Sequence, residues 1–94
     1  MKSESGKAEK RIENAVENVV KGERSLKLAK EIIRILRTDG PQSPYALMLK
    51  ISESYDINLY SRIIYILKRL EQHKIVKKKR VRGLTSMKNV YEVM

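Results

Sequence analysis

The stretch NLYSRIIYILKRLEQHKIV, residues 58–76, decides the fold of this 94-residue chain. Its apolar residues Leu59, Ile63, Ile66, Leu67 and Leu70 recur at helical spacing, which gathers them on one side of a helix. At about 100° per residue the opposite side carries Ser61, Tyr65, Lys68 and Gln72, with Arg62 and Arg69 along one flank. The inner side needs a core to cover it. The outer side offers hydroxyls, an amide and cations, the groups that hydrogen-bond phosphates and base edges. The helical pattern ends at Ile75, and the chain runs at once into KKKRVRG.

Three helices are expected upstream. Ala8, Ile12, Ala15, Val16 and Val19 form a narrow apolar stripe with Val20 at its edge, so residues 7–22 read as a helix that Gly22 ends. Residues 1–6 read as a loose tail of small and charged side chains. Ser25 is a candidate N-cap for a second helix with a broad apolar face at Leu28, Ala29, Ile32, Ile33, Ile35 and Leu36. Thr38-Asp39-Gly40-Pro41 stops it. Ser43 caps a third helix, with Pro44 at its first position and Tyr45, Leu47, Met48 and Ile51 as its apolar residues. Asn58 is expected to cap the fourth.

Downstream, residues 75–82 and 88–94 are β-compatible, with 83–87 as the tip of a hairpin. Tyr91 and Val93 share a face that can return to the core, whereas the first strand is basic on both faces. The expected fold is therefore α+β and mainly helical: a winged helix-turn-helix, with a three-helix core and a C-terminal β-hairpin wing over residues 23–94, and an extra N-terminal helix.

The segment SPYALMLKISESYDINLYSRIIYILKRLEQHKIVKKKRVRGLTSMKNVYEVM resembles the winged-helix regulators of the PadR-like type, including small ones from archaea and their viruses and plasmids. The likeness covers roughly residues 25–94 and is most specific at LKRLEQHKIV and the following VYEV. It implies a DNA-binding fold with a role in gene regulation, residues 58–73 being the recognition helix and the tyrosine segment the second wing strand. The chain departs from that pattern at Lys74, where the family usually has Gly. It departs again at Arg62, Ile64 and Tyr65, where the family has a Thr, an aromatic residue and a Pro.

The charge supports a polyanionic partner. Twenty-one Lys and Arg face eleven Asp and Glu, for a net charge of +10. Residues 57–94 hold ten basic and two acidic side chains, so +8 of that excess lies on the last helix and the hairpin. Asn58, Tyr60, Ser61, Arg62 and Tyr65 are the candidate base readers, because the leading residues of a recognition helix reach base edges. Ser43, Lys68, Arg69, Lys77, Lys78, Lys79, Arg80, Arg82 and Lys88 are candidates for the phosphate backbone, with residues 77–88 as the basic wing on the backbone or minor groove. Each phosphate neutralised adds about 0.9 to the salt slope of binding. The N-terminal stripe either packs on its own domain and extends the core or packs on a second chain. The family's dimerising helix after the wing has no counterpart here, which favours the second, with Ile12, Val16, Val19 and Val20 as the expected homodimer contacts. Such a dimer would present two recognition helices about 34 Å apart to a near-palindromic site.

Other function classes fare worse. With no Cys and one His there is no thiolate metal site, disulfide or catalytic pair to build, and no Gly-rich phosphate loop is present, so neither an enzyme nor a cofactor is expected. No stretch matches a signal peptide or a membrane span, and the expected location is cytoplasmic, on DNA. Double-stranded RNA is disfavoured because a helix cannot enter its deep, narrow major groove. A sequence-independent DNA-coating protein and a winged-helix protein-interaction module are the alternatives. The mixed polar face of residues 58–65 is richer in base-reading groups than coating requires.

Overall fold

In the computed structural model, which describes residues 2–83 and 87–94, four helices are followed by one antiparallel hairpin: α1 Lys2–Val19, α2 Glu23–Asp39, α3 Pro44–Ser52, α4 Ile57–Gln72, β1 Val76–Arg82 and β2 Met87–Val93. The chain is thus α+β and mainly helical, with an order of elements compatible with a winged-helix layout. Of the expected hairpin tip 83–87, residues 84–86 lie outside the described residues, as do the side chains of residues 2–10 and 87.

One core joins the parts. Ile63, Ile66, Leu67 and Leu70 of α4 are fully buried against Ala29, Ile32, Ile33, Ile35 and Leu36 of α2 and Leu47 and Met48 of α3. Ile75, Val76 and Tyr91 close it from the hairpin side. The expected inner face of α4 is therefore the observed one, with Leu59 as a partly buried member.

The stripe on α1 is covered by its own chain. Val16, Val19 and Val20 are 1%, 6% and 5% exposed and belong to the same core cluster, with Ile12 and Ala15 packed against it. Of the expected dimer contacts, Val16, Val19 and Val20 are thus covered within the chain instead of facing a second copy, and Ile12 is partly covered. A helix this rich in Val gains little from propensity and is held by tertiary packing, and here α2 and α4 supply the covering surface. Lys30 of α2 reaches Glu17 of α1 at 3.0 Å, an exposed pair that adds little to the packing. The helix also begins at Lys2, so residues 2–6 continue it rather than forming the loose tail expected from their composition.

Helix ends differ from expectation in two places. Helix α2 starts at Glu23, after Gly22 at φ 93°, so Ser25 lies inside its first turn instead of capping it. Helix α4 is capped by Asp56, whose carboxylate accepts from the backbone N–H of Asn58 at 3.1 Å and Leu59 at 3.2 Å. Asn58, the expected cap, is thereby freed for the outer face. Ser43 caps α3 as expected, its Oγ accepting from the Ala46 N–H at 3.2 Å, with Pro44 at the first helical position.

The exit from α4 carries the most informative backbone feature. Ile75 N–H donates to Leu70 O and Lys74 N–H to Glu71 O, the paired bonds of a Schellman motif. Leu70 and Ile75, the two positions that motif brings into apolar contact, are both buried. The motif needs a left-handed residue, and Lys74 supplies it at φ 59° without glycine's freedom.

The hairpin pairs Val76 with Val93, Lys78 with Tyr91, Arg80 with Asn89 and Arg82 with Met87 on one face. Lys77 with Glu92, Lys79 with Val90 and Val81 with Lys88 form the other. At its base it is tied to the chain before α3, where Gln42 and Tyr91 exchange backbone hydrogen bonds of 3.0 and 2.8 Å. The start of α3 is thus held beside the foot of the hairpin. No helix of the described residues is long and apolar enough to cross a membrane.

Candidate nucleic-acid interface

The outward face of α4 is built from its inward one. Because Ile63, Ile66, Leu67 and Leu70 fix the helix against the core, the residues across the axis must face solvent. Asn58, Ser61, Arg62, Tyr65, Lys68 and Gln72 are all exposed, Tyr65 to 61%. Among the described residues Arg62 and Lys68 make no ion pair, so their cationic groups carry no internal acid to displace. The short turn from α3 is held by Asp56, whose backbone N–H lies 3.4 Å from the sulfur of the buried Met48. That contact and the Asp56 cap fix where the first turn of α4 begins.

Two of the expected α4 contacts are redirected. Tyr60 stands only about 60° around the helix from Ile63, and it packs, half-buried, against the core rather than facing the groove. Arg69 is half-buried, and its guanidinium donates to the carbonyl of Val19 at 3.2 Å. The carbonyls of the last turn of α1 lack helical partners, and Arg69 satisfies one of them. It therefore clasps α1 to α4 instead of waiting for a phosphate.

The hairpin supplies the second basic surface. Lys78, Lys79, Arg80, Arg82 and Lys88 are exposed and make no ion pair among the described residues. Lys77 differs, lying 3.2 Å from Glu92 across the strands, so its charge is already partly matched. Tyr91 and Val93 turn inward as expected, and Val90, on the opposite face and outside the main core cluster, is buried too. Burial pushes the Tyr91 hydroxyl above the ordinary tyrosine range, and the nearby Glu71 carboxylate adds to it. The foot of the hairpin is accordingly apolar and anchored, and its basic part projects beyond it.

Ser43 sits at the start of α3, beside the hairpin foot, with its oxygen engaged in the cap. Its hydroxyl proton remains available to an oxygen acceptor. Tyr45, expected among the apolar residues of α3, is instead 50% exposed, and Tyr55 in the turn that follows is 62% exposed. The sequence reading also missed Ile57, which is 54% exposed at the first position of α4. At about 100° per residue it lies about 120° around the helix from Ile63, and its place as the first helical residue depends on a start set by Asp56 rather than Asn58.

Three surfaces are thus brought together by one scaffold: the outer face of α4, the basic hairpin that follows it, and the capped start of α3. Comparison of the chain with protein-family models, with curated proteins and with solved structures gives no match.

Proposed function

We propose that the chain is a double-stranded DNA-binding transcriptional regulator that lays the outer face of α4 in the major groove and sets the basic hairpin on the adjoining backbone or minor groove. The observation that supports this best is the pairing of a helix face rich in hydrogen-bonding side chains with cations that have no ion-pair partner among the described residues. Asn58, Ser61 and Arg62 offer the amide, hydroxyl and guanidinium groups suited to adenine and guanine edges, and Tyr65 and Lys68 follow on the same side. Lys78, Lys79, Arg80, Arg82 and Lys88 supply attraction that does not depend on sequence. A helix of ordinary diameter fits the major groove of B-DNA, whereas A-form RNA closes that groove to it.

This reading agrees with the resemblance to PadR-like regulators, but places no dimer contact on α1, whose stripe is consumed within the chain. One copy presents one helix and one wing. The site bound by that unit is correspondingly short.

Fluorescence anisotropy on labelled duplexes tests the proposal. A duplex from upstream of the gene, or one enriched from a randomised pool, should bind at least a hundredfold more tightly than its shuffled counterpart, and the difference should survive a rise in salt. Equal affinities with a steep salt slope would replace the regulator by a DNA-coating protein. Failure to bind any duplex would replace it by a protein-interaction module.

A further inference from the structure

Among the described residues, the large apolar side chains left exposed are Tyr45, Leu49, Tyr55, Ile57, Tyr65 and Met94, and all but the last lie on the helix-turn-helix segment. Ile57 is the aliphatic one on α4 itself. It contributes nothing to the fold that another residue would not supply better. It stands outside the core cluster, it cannot cap, and a β-branched side chain is a weak choice for a first helical turn.

Its surroundings specify what it can meet. Ser61 lies one turn along and Asn58 is its neighbour, both exposed, so the leading end of α4 mixes one apolar group with two hydrogen-bonding ones. The Asp56 carboxylate occupies the free N–H groups of Asn58 and Leu59. A helix N-terminus whose amides are already satisfied by an anion repels a second one, so this end is unsuited to hold a phosphate. It is suited to lie between the phosphate walls, over the base pairs, leaving phosphates to Lys68 and the hairpin. The apolar feature that a major groove presents there is the C5-methyl group of thymine.

Resting on the DNA-binding reading above, we infer that Ile57 reads a thymine methyl group, and that the bound site carries thymine under the first turn of α4. Asn58 beside it has the amide that pairs in bidentate fashion with adenine, so the contacted step is A·T-containing. A protein-docking role for Ile57 would give no such dependence on a single base substituent.

The test removes the methyl group without touching a hydrogen bond. The best duplex enriched from a randomised pool is prepared again with deoxyuridine in place of every thymidine, and both forms are titrated with the native chain and with Ile57→Ala. The native chain should bind the uracil form about fourfold more weakly for each contacted methyl. Ile57→Ala should bind the thymine form more weakly by a similar factor and lose the distinction between the two forms. Equal binding of both forms by the native chain, or a thymine preference that survives in Ile57→Ala, would overturn the inference while leaving the DNA-binding reading intact. A pool from which no duplex is enriched would overturn both.

Discussion

The two halves of the molecule hold their charges in different ways. Residues 1–56 carry eleven basic and nine acidic side chains, and among the described residues three cations there are matched internally: Lys30 to Glu17, Arg34 to Glu31 and Lys50 to Asp39. The Arg34 guanidinium also holds the Glu31 carboxyl below its ordinary range through their hydrogen bond. Residues 57–94 carry ten basic and two acidic side chains, and the ion pair found there among the described residues is Lys77 with Glu92. Charge in the first half decorates a scaffold and is nearly self-neutral. In the second half most of it has no acidic partner among the described residues. A count of Lys and Arg alone would not separate the halves, which hold eleven and ten; the difference lies in the acidic side chains.

Breaking the comparison on the scaffold side should give the largest effect. Val16 is 1% exposed, so Val16→Asp buries a charge with no partner and should cost about 3 to 5 kcal/mol in a denaturant titration. A folded variant of unchanged stability that merely fails to self-associate would instead mean that the stripe faces a second copy.

Arg69 sharpens the contrast, because it is a cation of the second half used in the manner of the first. Arg69→Met keeps the aliphatic stem but removes the donor to the Val19 carbonyl, and should lower stability by about 1 to 2 kcal/mol. The salt slope of DNA binding should be unchanged, which an anisotropy titration at several salt concentrations reads directly. A slope smaller by about 0.9 would assign Arg69 to a phosphate after all.

Smaller still is the backbone effect at Lys74. Glycine relieves about 1 to 2 kcal/mol of left-handed strain but adds about 0.5 to 1 kcal/mol of unfolded-state entropy. Lys74→Gly should therefore raise stability by about 0.5 to 1 kcal/mol, seen as a higher denaturation midpoint. The last effect is confined to alkaline pH. With its ionisation raised by burial in the folded chain, Tyr91 favours the folded state fully below its ordinary value of 10.0 and loses that contribution as pH climbs from there through the higher folded value. Tyr91→Phe should flatten the stability profile over that window without changing its neutral part.

What could be read from the sequence was mostly a matter of faces. Leu59, Ile63, Ile66, Leu67 and Leu70 mark the buried side of α4 unambiguously, and Ser43-Pro44 marks the start of α3, because both signals are local. The partner of a face is not local. The stripe of α1 shows the same spacing whether α2 and α4 or a second chain covers it, so its dimer role was an expectation that the fold corrected. The hydrogen bond from Arg69 to Val19 was hidden for the same reason, since nothing near Arg69 in sequence tells that the end of α1 lies alongside. The start of α4 was misplaced because Asp56 and Asn58 are equally good capping residues. That two-residue difference hid Ile57.

The most direct test of the charge comparison removes three cations from each half and measures the slope of log affinity against log salt on one duplex. Replacing Lys78, Arg80 and Arg82, which share one face of the hairpin, by Gln should lower the slope by about 2.7, while replacing Lys30, Arg34 and Lys50 by Gln should leave it unchanged. Equal losses from the two variants, or no loss from the hairpin variant, would contradict the claim that the second half of the molecule holds its charge for DNA.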